Sequence, residues 1–185
     1  VSAAGIANSD LATCVNNSVS SISEIVAFEV PDESPGMGAI LREFEISRSF
    51  PSIKSYIDRC TALALQAGLN ALQPSAIADG RVSCVGLSFG SQFACIETMK
   101  MYCTVGVEKG WRLAPPFIFI HSYANTPAAC MHIELKLHGY GNVFAGGEDC
   151  GFDAIADAVR AISSGEADNI LAGASESLGS VRFNA

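Results

Sequence analysis

Short apolar runs flanked by glycine and small residues alternate along this chain with longer segments whose apolar residues recur every three or four positions. Ile53, Tyr56, Ile57, Cys60, Leu63, Ala64 and Ala67 fall at helical spacing, with Pro51 as a start signal and Gly68 near the end, which predicts a helix over 52–72. Arg81 to Ser88 reads as a buried strand, followed by a turn at Gly90-Ser91 and a helix to about Val105. Phe117–Ile120 is a further apolar run, and after a loop around Asn125 a helix reaches Leu137. A strand through Val143–Ala145 leads to a helix from Asp153. That helix carries Phe152, Ile155, Ala156, Val159 and Ile162 on one face, with Asp157 and Arg160 opposite. Gly165 ends it, and Asn169–Ala172 is the next buried strand. Residues 1–25 are rich in Ser, Asn and Ala and fit the tail of a strand with its following helix, while Val30–Met37, with Pro31, Pro35 and Gly36, is loop. Alternating apolar strands and helices imply an α/β layered fold with a mostly parallel sheet, as one domain over 1–185 with no internal repeat.

The run from Phe144 to Ile155 is the most specific feature. A strand enters a small-residue turn, Gly146-Gly147-Glu148-Asp149-Cys150-Gly151, and the turn enters a helix. The unpaired backbone N–H groups and the macrodipole at such a helix start favour negative charge. Enzymes use this geometry to hold a thiolate or an oxyanion. Glu148 is the residue at the bend.

These motifs, in this order, resemble the N-terminal half of a β-ketoacyl synthase, a condensing enzyme of the thiolase superfamily. The resemblance runs from Gly110 to Leu178 through Ala124-Asn125-Thr126-Pro127-Ala128-Ala129, Gly139, Gly147 to Ile155, Ser164-Gly165-Glu166-Ala167-Asp168 and Leu171-Ala172-Gly173-Ala174. It implies a thiolase-like layered α/β fold of which one half-unit is present. Aligned on Gly151 and Ala154-Ile155, the family's nucleophilic Cys falls on Glu148. That departure is similar to chain length factors, which replace the Cys, and to short synthase-like proteins of aryl-polyene-type clusters with Gly-Glu-Asp at this turn. The latter group's His-Asn-Ala loop also resembles His121 ahead of Asn125. The segment Arg81–Ser91 resembles the family's Val-Gly-x-x-x-Gly stretch, whose following helix lines the acyl pocket, so Phe93, Cys95 and Ile96 are substrate-binding candidates together with Asn125. The second-half His motifs that a condensing enzyme requires lie outside this sequence.

Composition narrows the classes. The chain has 185 residues, enough for one core, and is 49% hydrophobic but only 16% charged, so partner-covered surface is expected. Eleven basic against nineteen acidic residues give a net charge of −8, which argues against nucleic-acid binding and gives no support to a role at membrane surfaces. No apolar run is long enough to span a membrane. Cys14, Cys60, Cys84, Cys95, Cys103, Cys130 and Cys150 are odd in number and lack CxxC spacing, reading as reduced core residues of a cytoplasmic protein. With His121, His132 and His138 they make no recognised metal site, and no cofactor is expected.

Each candidate also has a plainer reading. Glu148 fits a helix-capping carboxylate worth about 0.5–1 kcal/mol as well as a replaced nucleophile, and if ionised it would repel a malonyl carboxylate. Cys150 would gain reactivity from the helix start but lies about 200° around the helix from the bend. His121 fits a structural histidine, Asn125 a residue ordering its loop through side chain–backbone hydrogen bonds. Phe93, Cys95 and Ile96 fit a plain core. Three functions follow: a non-condensing subunit that shapes an acyl tunnel beside a catalytic synthase and an acyl carrier protein, a fragment of an active 3-oxoacyl synthase using Cys150 or an unseen residue, and a structural dimerisation module. The strand through Val143–Ala145 resembles the one by which family members pair, so a homodimer or heterodimer is expected. Lys54 with Arg59 is a candidate carrier-docking pair despite the acidic net charge.

Overall fold

Gly86–Ser91 (β3) is buried along its whole length at the centre of a three-stranded parallel sheet, between Gly141–Ala145 (β4) and Ile170–Ala174 (β5), in the order β4-β3-β5. Leu87 pairs with Gly141 on one side and Leu171 on the other, and Gly90 with Phe144 and Ala174. The computed structural model describes residues 1–41, 44–53, 56–72 and 80–184.

Strand alternation decides the layers. Leu87 and Phe89 belong to the core that contains Leu65 of helix α2 (Arg59–Leu72) and Met131 of α5 (Thr126–Glu134). Ser88 and Gly90 face the other way, onto α6 (Cys150–Ser163). The sheet is thus covered on both faces. Around it run α1 (Asn8–Asn16), a small antiparallel hairpin of β1 (Ile22–Glu24) and β2 (Met37–Ala39), α3 (Ile96–Lys109), the short α4 (Pro116–Ile120) and a terminal turn of helix, α7 (Ser180–Phe183). The layered α/β architecture with a parallel sheet is the one expected.

Several boundaries move, each for a local reason. Helix α2 begins at Arg59 rather than Ser52, because the Asp58 carboxylate accepts the Cys60 N–H at 2.8 Å and opens the helix there. Residues 81–84 form tight turns, with Ser83 N–H bonded to Gly80 O at 3.1 Å and Val85 N–H to Val82 O at 2.9 Å, so the strand starts only at Gly86. Gly90 and Ser91 close that strand instead of forming the turn. Gly90 is there because a Cβ would lie 2.3 Å from the Cys150 carbonyl oxygen: α6 starts directly against it. The helix after Asn125 stops at Glu134, and Lys136 takes a left-handed φ of 57°. Lys54 lies outside the described residues.

Helix α6 shows the largest difference. Its buried residues are Cys150, Ala154, Asp157, Ala158 and Ala161, whereas Phe152, Ile155, Val159 and Ile162 point away from the sheet. Phe152 is 77% exposed. The sheet face beneath the helix offers Ser88 and Gly90, and such a surface seats small side chains at close approach; large ones do not fit. Asp157 is held inward by Ser88 Oγ at 3.0 Å and by the Tyr140 hydroxyl at 2.9 Å. The apolar stripe read from the sequence is therefore the outward face, and the opposite side, with Asp157, lies against the sheet.

Candidate functional site

The carboxyl ends of the parallel strands meet in one place, where ligands bind in open α/β sheets. There, Gln92 after β3, Glu148 and Cys150 after β4, and Gly173, Ala174 and Glu176 at and after β5 line a cleft of about 300 Å³. Phe152 and Ile155 of α6 give it an apolar wall, and Arg182 of α7 closes the rim.

Gly146 takes a φ of 120°, which only glycine adopts readily, and turns the chain so that α6 starts at Cys150. Glu148 sits on this turn, exposed to solvent, and among the described residues no hydrogen bond or ion pair engages its carboxylate. It is not the helix cap. Asp149 occupies that position, without a side-chain capping bond. Cys150, by contrast, is only 6% exposed. Burial pushes its thiol upward, and the Glu176 carboxylate adds to the shift, outweighing the hydrogen bond from Gly151. A buried, protonated thiol is a poor nucleophile.

Glu176 carries the densest set of interactions in the cleft. Its Oε1 accepts from Ser91 Oγ at 2.7 Å, from the Phe93 N–H at 3.2 Å and from the Gln92 N–H. Ser91 Oγ also lies 3.0 Å from the Ser175 carbonyl and accepts the Ala94 N–H at 2.9 Å. The second oxygen, Oε2, is buried and lies 3.2 Å from Arg182 Nη1; that contact is an ion pair without hydrogen-bond alignment. The same guanidinium stands 5.8 Å from the Phe93 ring centroid.

The remaining candidates do not gather at this cleft. Cys95 is 1% exposed, with its thiol 3.5 Å from Thr61 Oγ1, and burial raises it out of reactive range. Phe93 lies under Arg182, and Ile96 opens α3; neither lines the cleft with Glu148. Asn125 precedes α5 without a side-chain capping bond, and the loop is tied instead by Ser122 Oγ to Phe119 O at 2.6 Å and Thr126 Oγ1 to Ile120 O at 3.1 Å. His121 packs edgewise on Tyr56, with ring centroids 6.3 Å apart, and its Nδ1 is buried without a hydrogen-bond partner among the described residues. Behind the cleft, Tyr56 OH lies 2.7 Å from Thr98 Oγ1, which donates to the buried Asp58 carboxylate at 2.5 Å; burial raises Asp58 and pushes Cys60 up to about 12. No group of three or more His, Cys, Asp or Glu among the described residues could hold a metal ion, and no helix there is long and apolar enough to cross a membrane.

Sequence reasoning missed Gln92, Glu176 and Arg182. The usable signal was topological: Ser175-Glu176 directly follows a strand of a parallel sheet, at the end where sites form.

The model of the β-ketoacyl synthase N-terminal domain matches residues 22–183. Among solved structures, the ishigamide ketosynthase/chain length factor superposes with a TM-score of 0.85 at 23% identity, covering 98% of this chain and 52% of its own. A β-ketoacyl synthase from Burkholderia phymatum STM815 gives 0.77 at 20% identity, covering 98% and 46%. A hexaketide-bound ketosynthase in complex with its type II polyketide synthase acyl carrier protein gives 0.69 at 20%, covering 78% and 43%. The chain spans about half the length of these structures, and what it shares with them at such identities is the fold. No curated protein matches it.

Proposed function

The chain belongs to the β-ketoacyl synthase family, whose N-terminal domain it matches, and on that premise we propose that it is a non-condensing subunit of chain-length-factor type. In this reading it acts in polyketide or fatty-acid synthesis in the cytoplasm. It shapes the cleft that receives an acyl chain delivered by an acyl carrier protein, and a catalytic ketosynthase performs the condensation.

The observation that carries this reading is the exposed Glu148 carboxylate at the strand–helix turn, beside a cleft with no activated thiol. Condensation through an acyl-enzyme needs a nucleophile that attacks the thioester. An unengaged carboxylate is a weak one, and Cys150 is buried and protonated. What remains is a concave surface with an apolar wall from Phe152 and Ile155, suited to a hydrocarbon chain.

Two unpartnered surfaces support a partner. The outward stripe of α6 exposes Phe152, Ile155, Val159 and Ile162 in one line. We assign its cover to a second α/β half of the same fold, because the solved relatives carry about as much chain again as the part matched here. Strand β4 is an edge of the sheet, and through it the subunit pairs with a ketosynthase or a second copy.

The test is intact-mass spectrometry after incubation with acyl- and malonyl-loaded carrier protein, with Cys150→Ala in parallel. The reading expects no covalent adduct on either protein and co-purification with carrier protein or a ketosynthase. An acyl adduct lost in Cys150→Ala would instead establish a working condensing enzyme with a displaced nucleophile. Failure to bind either partner would leave a structural dimerisation module.

A further inference from the structure

Three of the four walls of the cleft converge on one carboxylate. Gln92 comes from the turn after β3, Ala174 and Glu176 from the end of β5, and Arg182 from α7. Glu176 reaches the other two elements: its Oε1 accepts from the N–H groups of Gln92 and Phe93 and from the hydroxyl of Ser91, and its Oε2 forms an ion pair with Arg182 across 3.2 Å. Ser91 is fully buried. Two backbone amides and a buried hydroxyl that converge on one carboxylate oxygen, with a guanidinium beside the other, form a carboxylate-binding nest. The chain fills that nest with its own side chain.

The consequence concerns which ligands the cleft accepts. Among the described residues Arg182 is the one cation in its lining, and its charge is committed to Glu176 and to the Phe93 ring. The other ionisable lining groups are Glu148, exposed and unpaired, and the buried Cys150 thiol, while Asp149 and Asp153 stand on the same turn and first helical turn. A ligand carboxylate entering the cleft therefore meets like charge and finds its donors already taken. We infer that Glu176 is a specificity-determining residue: by occupying the nest of Gln92, Phe93, Ser91 and Arg182 it closes the cleft to carboxylate-bearing acyl groups and leaves it open to uncharged acyl chains. The acyl part of this inference rests on the function proposed above; the occupied nest does not.

Glu176 also has a positioning role by the same contacts. Without it, the Gln92 and Phe93 amides at the mouth of the cleft lose their acceptor, and the turn that carries Phe93 is released.

The experiment compares wild type with Glu176→Ala by amide-resolved NMR, titrating formate and then malonate against chloride at equal ionic strength. In wild type the Gln92 and Phe93 amide protons should be shifted downfield by their bonds to a carboxylate and should ignore added formate. In Glu176→Ala they should move upfield, then return saturably with formate or malonate but not with chloride. A wild-type response to formate would overturn the inference, since the nest would then not be blocked. An indifferent Glu176→Ala would overturn it as well, because the donors would then not form an anion site. If the alanine variant does not fold, Glu176→Gln serves, with weakened amide shifts and no formate response as the expected result; full wild-type shifts there would sink the idea. Binding of an uncharged acyl-pantetheine to wild type, measured separately, tests the acyl reading independently of the nest.

Discussion

Replacing Asp157 by Ala tests how the turn bearing Glu148 is held in place. Asp157 is 8% exposed on the inner face of α6 and joins the helix to the sheet. It accepts hydrogen bonds from Ser88 Oγ at 3.0 Å and from the Tyr140 hydroxyl at 2.9 and 3.0 Å, and pairs with Arg160 at 3.3 Å. Arg160 is half exposed, so the ion pair contributes little. The cost of the substitution comes from Ser88, which is wholly buried and would be left without its acceptor, and from the lost bonds to a charged group. A buried hydroxyl left unsatisfied and the loss of hydrogen bonds to a charged group cost roughly 1–3 kcal/mol. For a chain of this length that lowers the unfolding midpoint by about 2–12 °C. Thermal unfolding followed by circular dichroism reads it directly, and a midpoint within about 2 °C of wild type would refute the account. The pH dependence supplies a second check. Burial alone would raise the Asp157 pKa, but the donors from Tyr140, Ser88 and Arg160 together hold it below the ordinary carboxylate value. A carboxylate lowered in the folded state stabilises the fold above its unfolded pKa, about 3.9, and that stability is lost as the pH falls through the folded value. The gap between wild type and Asp157→Asn should thus be constant above about pH 5 and close below pH 4. A gap that widens on acidification would reverse the sign and sink the argument.

Gly90→Ala would place a Cβ 2.3 Å from the Cys150 carbonyl oxygen, which is backbone and cannot turn aside. It should destabilise by about 1–3 kcal/mol or more by displacing the start of α6, and a denaturant midpoint equal to wild type would show that the helix is not seated as described. Iodoacetamide should label exposed Cys84 in the folded protein while sparing Cys150, both read by peptide mass spectrometry; equal labelling rates would contradict the buried, protonated thiol. Phe152→Ser should change the stability of the chain alone by no more than about 0.5 kcal/mol, since the side chain is 77% exposed, and should reduce association with whatever covers α6; a large loss of stability would mean that Phe152 packs within this chain.

The alternation of elements and the turn at Gly146-Gly147 were legible because both depend on local chemistry. A buried parallel strand needs an apolar run, and the φ of 120° at Gly146 needs glycine. What was not legible depended on partners distant in sequence. The start of α2 is decided by Asp58, whose other carboxylate oxygen bonds to Thr98, forty positions away. Gly90 looked like turn chemistry because its true reason, the approach of Cys150, comes from beyond three helices and a further strand. Glu176 escaped notice since nothing in Ser175-Glu176-Ser177 marks a carboxylate that will reach back to the amides of Gln92 and Phe93. His121 and Asn125 sat in a suggestive loop, yet neither lines the cleft that holds Glu148.

Helix α6 shows why the reversal of its faces bears on function. An amphipathic stripe tells which face is covered, and in a two-layer domain the cover is the domain's own sheet. Here the sheet side is served by Ala154, Ala158 and Ala161, small enough to let the helix lie close over Ser88 and Gly90. The large residues point outward, away from the sheet. Covering the exposed parts of Phe152, Ile155, Val159 and Ile162 would stabilise an assembly by roughly 3–7 kcal/mol, comparable to the net stability of a whole domain. Phe152 and Ile155 also wall the cleft beside Glu148. Whatever docks on this helix therefore buries that wall and brings its own groups to the mouth of the cleft, so covering the stripe and completing the cleft are one event.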